Sequence, residues 1–237
     1  MQDLKVNNIM QEIIYCIPIK TKIYIVGGTI RNAVYYEYFK EKLSQRDYDL
    51  IVIGNSKKFI SNLREKNFIS GKVQRKDEIV LKKGKIPNPK IITDYVILDI
   101  HLSKGKDIRR MIKSEANFTY NCIILLLKEA NSINWYKKLI SLPGALIDLK
   151  NKQIKINSLY HPGNLFACLR FMSKGFKQPS KREVELLLKS LKTMPKDRFE
   201  KSVKKVFDYV DGEKKARLLT KKLDIKEDVF NKNILKK

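Results

Sequence analysis

The apolar positions of the chain read as short strands and helices in its first half and as helices in its second. Residues 5–16 carry a short amphipathic pattern that predicts a helix ending before Pro18. Lys22–Val26, β-branched and aromatic, predicts a strand that Gly27 and Gly28 break. Thr29 is placed to cap a helix running to about Lys42, with Ile30, Ala33, Val34 and Tyr38 on one face. Tyr48–Ile53 predicts a second strand and Lys57–Lys66 a second helix. Two more strands, Gly71–Leu81 and Tyr95–Leu102, flank a Lys-, Gly- and Pro-rich connection, Lys82–Lys90, expected to be a mobile loop. From Ile108 the pattern predicts mainly helices, over Phe118–Glu129, Asn164–Lys174, Lys181–Lys192, Pro195–Tyr209 and Glu213–Leu223, before a basic tail. No internal repeat is visible. The expectation is an α+β head of mixed sheet and helices carrying an all-helical extension.

Charge changes this picture more than length does. The chain of 237 residues has 50 Lys and Arg against 25 Asp and Glu, a net charge of +25. So large an excess predicts a polyanionic partner, because basic side chains that neutralise phosphates release condensed counterions. A coding bias toward Lys, Ile and Asn gives the same excess without a partner, so charge alone leaves both readings open. Cys16, Cys122 and Cys168 are widely spaced in apolar surroundings and form no CxxC pair. They read as buried thiols in a reducing compartment, not as a disulfide frame or a zinc site. The first five residues lack the basic-then-apolar order of a secretory signal, and no apolar run nears the roughly 18 residues that would span a bilayer. A soluble, intracellular protein follows, cytoplasmic by expectation and without a membrane partner; the sequence does not separate cytosol from organelle.

The chemistry begins where the first predicted strand meets its glycines. Gly27 and Gly28 let the backbone approach a phosphate and adopt positive φ, and the helix behind them offers free N–H groups and a favourable dipole. Arg31, one turn in, is placed to point back at the same anion. Asp47 and Asp49 sit two apart at the start of the next strand, so both face one side of the sheet. Two crowded carboxylates repel, and a hard divalent cation relieves that repulsion. A lone DxD is a weak signal; the glycine turn one strand–helix–strand unit earlier makes it specific. Asp99, in the stretch Leu98-Asp99-Ile100-His101, offers a third carboxylate, with Leu98 and Ile100 on the opposite face. In two-metal transfer such a group helps to activate the attacking hydroxyl. His101 shares the parity of Asp99, but no other feature supports it as a ligand, and it reads as structural or solvated.

Gly27-Gly28-Thr29-Ile30-Arg31 followed by Asp47-Tyr48-Asp49 resembles the signature of the class II tRNA nucleotidyltransferases (CCA-adding enzymes) and bacterial poly(A) polymerases, with Asn32 where that family usually has Asp. Further on, Asn117-Phe118-Thr119-Tyr120-Asn121 is similar to the tail of the family's RRDFTIN motif, and Pro143–Lys150 to its head–neck hinge. Arg170 to Phe176 resembles a neck helix end, and Pro195–Phe199 a later neck element; the likeness covers roughly 20–205. The resemblance implies a polymerase-β-like nucleotidyltransferase head over 1–140 and an all-α neck over 141–237. It implies Mg²⁺ (Mn²⁺ as the variant) held by Asp47 and Asp49; Asp99, read from its strand alone, is either the third catalytic carboxylate or a surface strand residue. ATP or CTP would be the substrate and an RNA 3′ end, of tRNA or another RNA, the acceptor. Gly27, Gly28, Arg31, Asn117, Asn121, His161, Asn164, Arg170 and Lys174 would contact the nucleotide.

The departures fall on one half of the family's site. Its Arg-Arg-Asp is replaced by Glu115-Ala116-Asn117, its base-reading Glu-Asp-x-x-Arg by Tyr160-His161-Pro162-Gly163-Asn164, and an Arg expected before Arg170 by Ala167. Arg109 and Arg110, just upstream, are candidates to take over phosphate contacts. The family's body and tail, which grip the tRNA, need more chain than follows position 205, which points to a protein partner that compensates. Two function classes therefore stay open. One is a template-independent RNA nucleotidyltransferase; the other is a catalytically inactive RNA-binding relative serving as a platform in a complex.

Overall fold

A computed structural model of the chain describes residues 8–43, 48–70, 78–83, 96–103 and 107–235. Asp47, most of the connection 82–90 and the first part of the strand expected over 71–81 lie outside these residues. The chain divides into two compact units, one made of 1–110 with 121–142, the other of 111–120 with 143–237.

Among the described residues, the first unit is built on a mixed seven-stranded sheet. Its strands, in chain order, are β1 (Lys22–Val26), β2 (Tyr48–Ile53), β3 (Ile69–Ser70), β4 (Glu78–Lys83), β5 (Val96–Ser103), β6 (Ile123–Leu126) and β7 (Ile140–Ser141). They lie in the order β3-β4-β5-β2-β1-β6-β7. Only β2 and β5 are parallel; every other neighbouring pair is antiparallel. Leu50, Ile51 and Val52 are buried in succession, as expected of a central strand covered on both faces. The helix α1 (Asn8–Tyr15) precedes the sheet, α2 (Gly27–Phe39) follows β1, and α3 (Ser56–Glu65) follows β2. α2 packs on β1, β2 and β6 through Ile30, Val34 and Tyr35.

Several expectations are corrected here. α2 starts at Gly27, with Val26 as its cap, so Thr29 lies inside the first turn and is buried. The helix ends at Phe39, where Lys40 turns left-handed, and Tyr38 is exposed rather than on the core face. The single helix expected over Phe118–Glu129 is instead a 3-10 turn (Thr119–Asn121), the strand β6 and a second 3-10 turn (Leu127–Glu129). Cys122 to Leu125 are apolar without a period and fully buried. Such a run fits a buried strand as well as a buried helix, and the open edge of β1 decides the matter by pairing with it.

The second unit is helical, with α5 (Ala145–Lys150), α6 (Asn164–Met172), α7 (Lys181–Leu191), α8 (Lys196–Val210) and α9 (Glu213–Lys222); α4 (Ile108–Glu115) leads into it. α6 is apolar almost all round, and it packs on α7, α8 and α9; a helix of that kind belongs at the centre of its unit. Phe118, Tyr120, Phe171 and Phe176 form one aromatic cluster with ring centroids 4.9–6.1 Å apart. α7 is capped by Ser180 and Glu183 in a reciprocal box. Glu183 also accepts from the Ile156 N–H, tying the preceding loop down.

Candidate active site

The site is a product of register. Val26 pairs with Asp49 across β1 and β2, and Asp49 pairs with Asp99 across the parallel strands β2 and β5. Neighbours in register point to the same face, so two carboxylates from distant parts of the chain stand side by side next to the β1–α2 turn. Leu50, Leu98 and Ile100, one residue off, are fully buried on the other face. The carboxylate-bearing face is half-buried at Asp49 and Asp99, which leaves room for a ligand.

Gly27 has φ +63°, and a Cβ built on it would lie 2.4 Å from Oδ2 of Asp49. The first glycine thus makes room for the carboxylate itself. Gly28 is not left-handed, and a Cβ there would meet only Nη2 of Arg31, at 3.5 Å. The cap residue Val26 makes no side-chain capping bond, so an anion can take the N–H groups that open α2.

Arg31 is buried, 8% exposed. Its Nε and Nη2 donate to Oδ1 of Asn32 at 3.0 and 2.7 Å, and Nη1 donates to Oδ1 of Asn121 at 2.8 Å. Asn121 ends the 3-10 turn before β6. The guanidinium is therefore held from two sides by amide oxygens rather than by the carboxylate that Asp at position 32 would supply. Burial raises the phenol pKa of Tyr48, next to Asp49, and keeps it neutral.

His101 was expected to be structural or solvated, yet the fold brings it to the carboxylates. One ligand atom each from Asp49, Asp99 and His101 lie within 4.8 Å of one another, and Nε2 of His101 is 3.8 Å from Oδ1 of Asp99. Its parity with Asp99 was the available signal. Oxygen donors from two carboxylates suit a hard divalent cation, and the imidazole suits transition ions; the donor set fits a divalent metal.

The remaining candidates lie in the second unit, apart from Arg109 and Arg110, which belong to the first. Asn117 Oδ1 accepts from the Phe118 N–H, and its carbonyl accepts from the N–H groups of Asn157 and Ser158. Asn164 is 1% exposed and donates through Nδ2 to the Ser158 carbonyl at 2.9 Å. Tyr160 is exposed and meets His161 edge-on, with centroids 5.0 Å apart. Arg170 stacks over Phe171 and Tyr209, at 5.1 and 4.9 Å. Lys174 follows the end of α6, half-buried, and Arg109 and Arg110 are exposed on α4. An open hollow of about 470 Å³ lined by Phe199, Phe207, Arg217 and Phe230 contains none of these residues. Among the described residues, no helix is long and apolar enough to cross a membrane.

No protein-family model matches the sequence, and no curated protein matches it significantly. Solved structures do. A "tRNA-processing enzyme (apo form I)" aligns over 96% of this chain and 60% of its own, with a TM-score of 0.67 at 22% identity. A CCA-adding enzyme in complex with ATP aligns over 94% of this chain and 51% of its own, at 0.65 and 20%. The Thermotoga maritima CCA-adding enzyme complexed with tRNA aligns over 92% and 54%, at 0.60 and 16%. The chain thus spans 51–60% of the length of these structures. The α+β head and helical extension have the fold of the matching part of CCA-adding and tRNA-processing enzymes.

Proposed function

We propose that this chain is a template-independent RNA nucleotidyltransferase that transfers a nucleotide from ATP or CTP to an RNA 3′ end. The reading is carried by the pairing of Asp49 with Asp99 beside the Gly27 turn and the fixed Arg31. The neighbours support it as proteins of the same fold, one solved with ATP and one with tRNA. We read 1–140 as the catalytic head and 141–237 as the neck.

The residues divide the work. Gly27 and Gly28 open α2 toward the triphosphate, and Arg31, oriented by Asn32 and Asn121, neutralises its charge. Asp47, Asp49 and Asp99 would hold Mg²⁺ or Mn²⁺; when bound, the cation supplies charge neutralisation at the reacting phosphate. The RNA 3′-hydroxyl attacks the α-phosphorus, a new P–O bond forms, and the bond to the β-phosphate oxygen breaks to release pyrophosphate. Asp99 would accept the hydroxyl proton. Little covalent chemistry falls to the protein, so positioning and electrostatics carry the rate. Asn117, His161, Asn164, Arg170 and Lys174 are proposed nucleotide contacts of the second unit, and the Lys-rich surface would hold RNA by its backbone. A protein partner would complement that grip.

The test is incorporation of each labelled NTP into small RNA with Mg²⁺ or Mn²⁺. Wild type should incorporate, and an Asp47→Asn, Asp49→Asn pair should not; equal activity in the double variant would remove the reading. The second reading, an inactive RNA-binding platform, is favoured by the rewritten stretches 115–117 and 160–164. It predicts RNA binding that weakens steeply with salt and no incorporation of any NTP.

A further inference from the structure

We propose that His101 is a third protein ligand of the divalent cation that Asp49 and Asp99 would hold, so that the site binds Mn²⁺ in preference to Mg²⁺. The inference rests on the metal-dependent reading above and goes beyond it in naming a nitrogen ligand and its consequence.

Three observations carry it. First, β5 presents Asp99 and His101 on one face, and the parallel register sets Asp49 directly beside Asp99. Second, the three ligand atoms fall within a 4.8 Å sphere of one another, and the His101 Nε2 to Asp99 Oδ1 distance is 3.8 Å. That distance is too long for a hydrogen bond. With metal–ligand bonds of about 2.1 Å, ligands on an octahedral ion lie about 3 Å apart when adjacent and about 4.2 Å when opposite. The observed gap lies between these, so small side-chain rotations close the set around an ion. Third, both side chains are about three-quarters covered, 23% and 25% exposed, which holds them in place while leaving the ion's remaining positions open to phosphate and water.

The donor chemistry then decides the ion. Mg²⁺ takes oxygen ligands and keeps its waters, whereas an imidazole suits transition ions. Mn²⁺ accepts both carboxylate and imidazole in an octahedral shell, so exchanging an oxygen ligand for Nε2 of His101 favours it. An imidazole that merely pairs with Asp99 would have no such effect.

The experiment loads the whole chain with Mn²⁺ alone and reads ¹⁴N modulation by pulsed electron paramagnetic resonance. The chain has two histidines, His101 and His161, so assignment needs two variants. The expected result is a directly bonded imidazole nitrogen in wild type, retained in His161→Gln and absent in His101→Gln. In parallel, His101→Gln should weaken Mn²⁺ about 10- to 100-fold and Mg²⁺ far less. Mn²⁺ binding that Asp49→Asn abolishes but that shows no nitrogen coupling would overturn the role of His101 and leave the carboxylate site standing. Coupling that disappears in His161→Gln instead would also overturn it. Mn²⁺ binding indifferent to Asp49→Asn would sink the metal-dependent reading and this inference with it. The wild-type and His161→Gln spectra decide the matter even if His101→Gln fails to fold.

Discussion

Replacing Gly27 by Ala tests whether the glycine turn exists to admit a carboxylate. The added Cβ would sit 2.4 Å from Oδ2, 3.3 Å from Cγ and 3.5 Å from Cβ of Asp49. Non-bonded heavy atoms settle at about 3.5–4 Å, so the carboxylate oxygen has to retreat by about 1 Å. The backbone adds its own cost. At φ +63° an L-residue loses about 1–2 kcal/mol relative to glycine. Rotation of the Asp49 side chain relieves part of the clash, so the expected loss of stability is about 1–3 kcal/mol. The proposed metal site would fare worse, because a 1 Å retreat is half the length of a bond of about 2.1 Å. Mn²⁺ affinity should fall at least about tenfold, and nucleotide incorporation about 100-fold, the usual penalty for a misplacement of that size. Gly28→Ala is the internal control, since its Cβ would meet only Nη2 of Arg31 at an ordinary 3.5 Å. It should keep wild-type stability, or gain up to about 1 kcal/mol from helix propensity, and keep its Mn²⁺ affinity. Urea unfolding and Mn²⁺ titration of the two variants give the answer. Wild-type Mn²⁺ affinity in Gly27→Ala, or equal losses in both, would refute the steric account.

Other outcomes follow from single contacts. Asp148 is 4% exposed, accepts from Thr119 Oγ1 at 2.7 Å and pairs with Lys155 at 2.8 Å. Asp148→Ala should cost about 2–3 kcal/mol in urea unfolding, below the loss for a fully buried pair because Lys155 can turn to water. Asp148→Asn, which keeps an acceptor for Thr119, should cost less. Asn121→Ala removes the acceptor of Arg31 Nη1; a stability loss of about 1–2 kcal/mol with about tenfold weaker NTP binding by calorimetry is expected, and unchanged NTP binding would detach Arg31 from the phosphate. Burial pushes the Cys122 thiol from its ordinary value of 9.0 to about 12, and the Cys168 thiol is raised further, chiefly by burial and secondarily by Glu183. The unfolded chain therefore gives up thiol protons that the fold retains. It binds fewer protons above pH 9, so stability falls as pH rises toward 12, by up to about 1.4 kcal/mol per pH unit for each thiol. Cys122→Ala should flatten the slope of urea midpoints between about pH 9 and 11, and an unchanged slope would count against the buried thiol as its source.

How much of this could be read from the chain depends on the range of the interaction. β1, β2 and α6 to α9 were legible because each carries its own pattern and is bounded by Gly, Pro or a cap. Ser180 and Glu183 at the start of α7 are an example. β6 was not, because Ile123, Ile124 and Leu125 are a buried apolar run without a period, and pairing with β1 on one side and β7 on the other turns them into a strand. Leu98 and Ile100 opposite Asp99 followed from alternation alone. Asp49 beside Asp99 did not, since it depends on a parallel pairing between residues fifty apart in the numbering. His101 came with that pairing: its parity was visible, but its neighbours were not.

The same limit applies to the amides that the family resemblance singled out. Asn121 meets the first unit's chemistry through Arg31, whereas Asn117 and Asn164 are occupied inside the second unit. Asn117 accepts from Phe118, Asn157 and Ser158, and Asn164 donates to the carbonyl of Ser158. Asn157 in turn donates to the carbonyls of Lys113 and Ala116 behind α4. Together these bonds stitch 157–164 to 113–118. A residue type suited to reading a base edge is equally suited to closing a loop on itself, because the same donor and acceptor serve both. For Asn164 to touch a nucleotide, its bond to Ser158 has to open at a position only 1% exposed, whereas Tyr160 already stands in solvent. Of the residues that stand at 160–164, Asn164 at least is held inward.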